Sequence, residues 1–133
     1  MVSVETVLPG SIGSEELAAL YASVGWQVYS HDPERLLAAI EQSTYVVVIR
    51  EDDALVGLVR VMSDDVSILY VQDLLVRPDR QGEGIGRLLL RHVLDRFSHV
   101  RRKVLLTDDE ERQHRLYASE GFSDVRGIER LHA

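Results

Sequence analysis

The chain has 133 residues, 45% of them hydrophobic, a formal net charge of −7 and no cysteine. That length suits one domain, residues 1–133, built on a single substantial core. No apolar run approaches the roughly 20 residues of a membrane span and no charged-then-apolar leader opens the chain, so a soluble, unexported protein is expected. The lack of cysteine rules out disulfide staples, thiolate metal sites and a cysteine nucleophile, and is compatible with the cytoplasm. An acidic balance also argues against general nucleic-acid binding, which rests on Lys and Arg neutralising phosphates.

Val2 to Leu8 reads as a first strand, closed by Pro9 and Gly10. A helix starting near Ser14 should stop at Gly25. In the second helix Asp32 has the chemistry of an N-cap, Pro33 suits the first helical position, and Leu36, Leu37 and Ile40 share a face. The connector between these helices carries Trp26 and Tyr29 beside His31 and Asp32. Such aromatics can wall a pocket for the apolar body of an acceptor substrate while acids attract a cation; packing of the two helices is the alternative reading.

Three strands follow, "TYVVVIR", "ALVGLVRVM" and "VSILYVQDLLV", separated by the short polar breaks "EDD" and "SDD". Breaks that short imply an antiparallel meander. Within the third, Gln72 and Asp73 are neighbours, and alternation lets only one of them face a cleft. A desolvated Asp73 can serve as a general base, directly or through water; a structural acid bonded to nearby amides is an equal reading.

The segment "PDRQGEGIGRLLL" then places three of the nine glycines within five residues, between a strand and a helix. Bare backbone there, with the unpaired amides and positive dipole end of the helix, suits a phosphate. Two common phosphate loops do not fit. After Gly82 and Gly84 the dinucleotide pattern needs a glycine where Arg87 stands, and the nucleotide P-loop needs a Lys followed by Ser or Thr, which does not occur. The surroundings are basic: residues 77–91 hold four bases and two acids, against three bases and 12 acids in residues 1–76. This island suits an anionic ligand. Helix three should run from Gly84 to Phe97 and bury Ile85, Leu88, Leu89, Val93 and Phe97. "KVLLT" follows as a strand, paired parallel to residues 67–76 or beside them through a crossover. A fourth helix is expected from Asp109 to Ser119, capped by Asp108 or Thr107 and stopped at Gly121, with "FSDVR" as the next strand. The five histidines have no metal-site spacing, so no metal is expected.

Gln81-Gly82-Glu83-Gly84-Ile85-Gly86 resembles the [RQ]-x-x-G-x-[GA] signature of the GNAT superfamily of acetyl-CoA-dependent N-acetyltransferases. "RLYASEGF", at Arg115 to Phe122, is a second family-like segment. The order β-α-α-β-β-β-α-β-α-β resembles the GNAT fold along nearly the whole chain. The resemblance implies a mixed α/β sheet flanked by helices, with a splayed strand pair. It implies acetyl-CoA as cosubstrate, held by Arg80, Gln81, Gly82, Glu83, Gly84, Ile85, Gly86 and Arg87 of the loop and by the backbone of Leu74, Leu75 and Val76. It further implies that Tyr117 protonates the departing thiolate; packing of helix four is the competing reading. Glu110 and Gln113 stand where many members carry Asn and Ala, so Arg112 or Arg115 are candidates for the missing contacts. The acceptor expected is the primary amine of a small molecule. A non-catalytic acyl-CoA sensor and a protein or peptide acetyltransferase are the alternatives. The short end "GIERLHA" leaves little room for a long final strand, which raises the expectation of a homodimer.

Overall fold

The computed structural model describes residues 2–26, 31–108 and 110–131. Tyr29, assigned above to the acceptor wall, lies outside them. Along the chain run β1 (Val2–Thr6), α1 (Ser14–Ser23), α2 (Pro33–Glu41), β2 (Tyr45–Glu51), β3 (Ala54–Ser63), β4 (Ile68–Val76), a short 3-10 turn (Pro78–Arg80), α3 (Ile85–Arg96), β5 (Arg102–Leu105) and α4 (Glu111–Ser119). The five strands form one sheet in the order β1-β2-β3-β4-β5. The first four are antiparallel and β5 joins β4 parallel, as the long connection through α3 requires. This is the mixed α/β architecture expected from the sequence.

The sheet buries apolar side chains on both faces. On one, Val47, Val59, Val61, Leu69 and Val71 meet Leu89, Leu90, Val93 and Phe97 of α3 and its C-cap, with Leu116 and Tyr117 of α4 at the margin. On the other, Val46, Val48, Leu58 and Leu75 meet Leu17, Leu20 and Tyr21 of α1 and Leu36 and Ile40 of α2. Asp32 caps α2 as expected, its carboxylate accepting from the Arg35 amide at 3.2 Å, and Pro33 opens the helix. Gly57 of β3 sits under α3: a Cβ there would lie 3.1 Å from both Ile85 Cγ2 and Leu89 Cδ1. The missing side chain brings the helix close to the sheet.

Three local expectations are corrected. In α3 it is Leu90 that is fully buried, while Leu88 is 45% exposed. Leu89 and Leu90 both face the sheet, and Leu88 falls outside their arc. The N-cap of α4 is Glu110, with no side-chain cap bond, and not Asp108 or Thr107; the Thr107 hydroxyl instead donates to Gln113 Oε1 at 2.7 Å. "FSDVR" is not a strand, and residues 122–131 carry no regular structure. In a strand, Phe122, Asp124 and Arg126 would share one face, so neither face could be apolar enough to bury. Gly121, at φ +92°, does end α4, with its amide on Ala118 O at 3.1 Å and that of Phe122 on Tyr117 O at 3.0 Å.

Candidate active site

The site begins where β4 and β5 part. Their pairing covers only Ile68 to Val71 against Arg102 to Leu105. Beyond Val71, β4 continues to Val76 alongside β3 with its other edge free of a strand. The Arg77 amide bonds Val56 O at 2.8 Å, which sets the phase of the β3–β4 ladder. Counting back, Leu75 and Asp73 turn their backbone groups to β3, and Val76 and Leu74 turn theirs into the gap. Of the three backbone contacts expected, Leu74 and Val76 can meet a ligand in the gap; the Leu75 backbone is used by β3 and its side chain packs in the α1–α2 core.

A β-bulge decides what Asp73 does. Arg60 pairs with Asp73 while Val61 pairs with Val71, so Gln72 is the extra residue. Strict alternation would place Asp73 beside Leu69 and Val71 in the core under α3. The bulge sends it to the other face, where it is 8% exposed. There its Oδ2 accepts from the Tyr21 hydroxyl at 2.7 Å and from Arg60 Nε at 2.6 Å. Arg60 continues to Ser43 Oγ at 3.2 Å and to Ala39 O of α2 at 3.5 Å, joining α1, α2, β3 and β4 in one polar network. Burial, and then the neighbouring Asp73 charge, push the Tyr21 phenol far above its ordinary pKa, so it stays a donor. The Tyr21 ring also lies 6.1 Å from that of Trp26. Sequence reasoning missed Tyr21 and Arg60 because nothing in their spacing points to residue 73.

At the C-terminal end of β4 the chain enters the glycine loop. Gly82 and Gly84 adopt φ of +82° and +88°, a conformation that favours glycine, and a Cβ at either would meet no atom within 4 Å. Gly84 is the N-cap of α3, whose first internal bond runs from the Leu88 amide to Gly84 O at 3.0 Å. The amides of Ile85, Gly86 and Arg87 therefore lack intrahelical acceptors. No acid lies in the first turn of α3. Gln81 braces the loop by donating from Nε2 to Val76 O at 3.0 Å, and its Oε1 accepts from Arg112 at 3.1 Å. Arg80 pairs with Glu51 and Glu83, yet its Nε is buried without a partner among the described residues. Arg87 lines the same hollow, although its guanidinium is held by Glu120 at 2.7 Å.

Two cavities meet here. One of about 1030 Å³ runs over the glycine loop, between β4 and α4. The other, of about 510 Å³, lies over the β4–β5 gap and is lined by Tyr70, Asp73, Asp108, Gly127 and Glu129 among others. Trp26, Leu74, Asp108, Gln113 and Tyr117 border both. The Tyr117 ring packs edge-on against Phe122, centroids 5.9 Å apart, and burial followed by the Asp108 charge pushes its phenol up to about 12. The arrangement thus brings Tyr117 and Trp26 to the junction of the two cavities, with the loop residues lining the larger one and Asp73 the smaller. Tyr70, Asp108 and Glu129 are lining residues that no motif indicated. Among the described residues, no group of three or more His, Asp or Glu side chains is placed to hold a metal ion.

An extended anionic ligand fits the larger cavity on three counts. Positive-φ glycines leave open space where side chains would project, α3 presents free amides, and Arg80 keeps an unused buried N–H. A mixed sheet with a splayed parallel pair, a glycine-built helix start and a second cavity at the splay make a two-chambered site with an anion cradle at one end. Comparison with known proteins gives the family: residues 14–132 match the family described as "Acetyltransferase (GNAT) domain", and the chain belongs to it. A GNAT-family acetyltransferase from Streptococcus pneumoniae TIGR4 superposes with a TM-score of 0.83 at 30% identity, covering 99% of this chain and 98% of that one. An aminoglycoside acetyltransferase from an uncultured soil metagenomic sample shares the fold, with a TM-score of 0.78 over 100% of this chain and 99% of that chain at 16% identity. A Gibberella zeae protein named "Putative acetyltransferase FG08082" is 38% identical over 74 residues, 53% of this chain. The aligned part spans 41% of that relative's length.

Proposed function

We propose that residues 1–133 form one acetyl-CoA-dependent N-acetyltransferase domain, cytoplasmic, acting on the primary amine of a small molecule by direct transfer. The observation that carries this reading is the meeting of the two cavities at Tyr117, beside the free edge of β4. Acetyl-CoA supplies the activated acyl carbon as a thioester. The loop from Arg80 to Arg87 holds its pyrophosphate through the amides of Ile85, Gly86 and Arg87 and the bare backbone of Gly82 and Gly84, with Glu83 contributing main chain only. Gln81 keeps that loop against Val76, and Arg112 keeps Gln81 in place. The amides of Leu74 and Val76 aim into the gap, where they bond the acyl oxygen as negative charge develops on it.

In the transfer the amine lone pair forms the N–C bond, the C–S bond breaks, and the thiolate leaves with its electron pair. The amine's proton passes to water in the acceptor cavity or to Asp73. Tyr117 meets the thiolate with a phenol O–H. With the phenol raised to about 12 and a thiol near 8.5, outright transfer is uphill, so Tyr117 stabilises the departing thiolate by a hydrogen bond and solvent supplies the proton that makes the free thiol. Trp26 walls the acceptor side. A homodimer belongs to the same proposal, supported by the exposed apolar surface of Leu106 and Ile128 at the C-terminal end of the sheet.

The test is a melting experiment with coenzyme A, with thiol release measured in parallel. A ligand at 100 times its Kd stabilises the folded state by about 2.7 kcal/mol. The shift should appear in the wild-type chain and vanish in Gly84→Val, whose side chain fills the open space and opposes a φ of +88°. A folded Gly84→Val with an undiminished shift overturns the reading. A normal shift with no thiol release from any amine would leave an acyl-CoA sensor instead.

A further inference from the structure

The two cavities differ in charge. The larger one is lined by four arginines, Arg80, Arg87, Arg112 and Arg115, against two acids, Asp108 and Glu110. The smaller is lined by Asp73, Asp108 and Glu129 and by no Lys, Arg or His among the described residues. Arg60 offsets Asp73 from behind, on Oδ2; Asp108 and Glu129 have no ion pair among the described residues.

Asp73 adds a second, independent observation. Both of its donors, the Tyr21 hydroxyl and Arg60 Nε, bond Oδ2. Oδ1 has no hydrogen-bond partner among the described residues, although the residue is only 8% exposed. It is also not enclosed in protein, because among the described residues Arg80 Nε alone is both buried and unpartnered. Oδ1 therefore opens onto the cavity that Asp73 lines. A nearly buried carboxylate oxygen without a donor is costly until a donor arrives. Trp26, Tyr70 and Tyr117 line the same cavity, and aromatic rings are groups that attract cations and pack methylenes. The volume of about 510 Å³ exceeds what a single amino group needs.

We propose that the acceptor is an organic polycation, a di- or polyamine without a carboxylate. One amine is delivered uncharged beside Tyr117, and the others stay protonated against Asp73 Oδ1, Asp108 and Glu129. This rests on the N-acetyltransferase reading above. An amino acid would bring its own carboxylate against three others, and a simple monoamine would leave the carboxylates unmatched.

The experiment compares spermidine, 1,4-diaminobutane, n-butylamine and glycine in a thiol-release assay, alongside calorimetric titration of spermidine into protein saturated with coenzyme A. The expected kcat/KM for 1,4-diaminobutane is about 10-fold or more above that for n-butylamine, which has the same chain and one charge fewer; glycine falls below both. Asp108→Asn and Glu129→Gln, exposed positions that leave the core untouched, should each shrink the diamine-to-monoamine ratio several-fold. Raising the salt from about 0.01 M to 0.1 M shortens the screening length from about 30 Å to 10 Å and should shrink it too. Asp73→Asn should raise the spermidine KM about 10-fold while keeping the coenzyme A melting shift. Equal rates with n-butylamine and 1,4-diaminobutane, or a preference for glycine, overturn this proposal and leave acetyl transfer standing. Spermidine binding without thiol release keeps a polycation site but overturns its role as acceptor together with acetyl transfer. No spermidine heat and no coenzyme A shift overturn both.

Discussion

Breaking the Asp73–Arg60 pair should unsettle the fold, and a double-mutant cycle measures by how much. The two side chains are 11% and 12% exposed, with Arg60 Nε 2.6 Å from Asp73 Oδ2. Arg60→Met leaves the carboxylate facing only the Tyr21 hydroxyl. Asp73→Leu leaves the guanidinium with Ser43 Oγ at 3.2 Å and Ala39 O at 3.5 Å, and deprives Tyr21 of its acceptor. Removing one partner of a buried pair costs about 3–5 kcal/mol, because the other charge stays desolvated. That is a large share of the roughly 5–15 kcal/mol that holds a domain together. For a chain of this size the melting temperature should fall by roughly 10–20 °C in each single variant. The double variant Arg60→Met/Asp73→Leu has no buried charge to strand, so its loss should undercut the sum of the singles by about 2 kcal/mol or more. Urea unfolding monitored by far-UV circular dichroism reads all four corners of the cycle. Either single variant costing under about 1 kcal/mol, or strict additivity, would show that the network does not hold α1 on β4 as described.

Tyr117→Phe keeps the ring against Phe122 and removes the phenol proton; turnover should fall by about 10²-fold to 10⁴-fold with the coenzyme A melting shift retained, and near-normal turnover in a chemistry-limited assay would make Tyr117 a packing residue. Trp26→Ala should raise the acceptor KM more than that for acetyl-CoA in steady-state kinetics; the opposite ranking would move the acceptor site elsewhere. Alkaline stability follows from Tyr21 and Tyr117, both raised above the ordinary phenol value of about 10 chiefly by burial. A raised folded-state pKa gives stability that is complete below the unfolded value and lost as pH rises through the folded one. Melting temperature should therefore hold to about pH 9.5 and decline above it, with tyrosinate absorbance at these two residues appearing together with loss of circular dichroism; early ionisation in a folded protein would contradict their burial. Gly57→Val should cost about 1–3 kcal/mol by forcing Ile85 and Leu89 off the sheet, and should weaken the coenzyme A shift because the same helix carries the anion site at its N-terminus. An unchanged unfolding midpoint would show that α3 can give way.

The order of helices and strands as far as α4 was legible in the sequence because its signals are local. Apolar runs rich in Val, Ile and Leu between short polar breaks mark β2 to β4, Asp32 and Pro33 mark the start of α2, Gly121 marks the end of α4, and the glycine cluster marks the entry to α3. The loop site was legible for the same reason: Gln81 to Arg87 are contiguous, and a helix N-terminus needs no distant partner to present its amides. What required the tertiary structure is whatever depends on register. One extra residue at Gln72 reverses the side-chain phase of β4 and carries Asp73 from the α3 core to the face of α1. There it meets Tyr21, 52 residues away, and Arg60, which no sequence spacing announces. The acceptor cavity is likewise assembled from β4, β5, α4 and the irregular residues after it, so Asp108 and Glu129 become neighbours of Asp73 only in space. Local periodicity records which side of an element is apolar; it does not record a bulge, because the residue that shifts the phase has the same chemistry as a residue that does not.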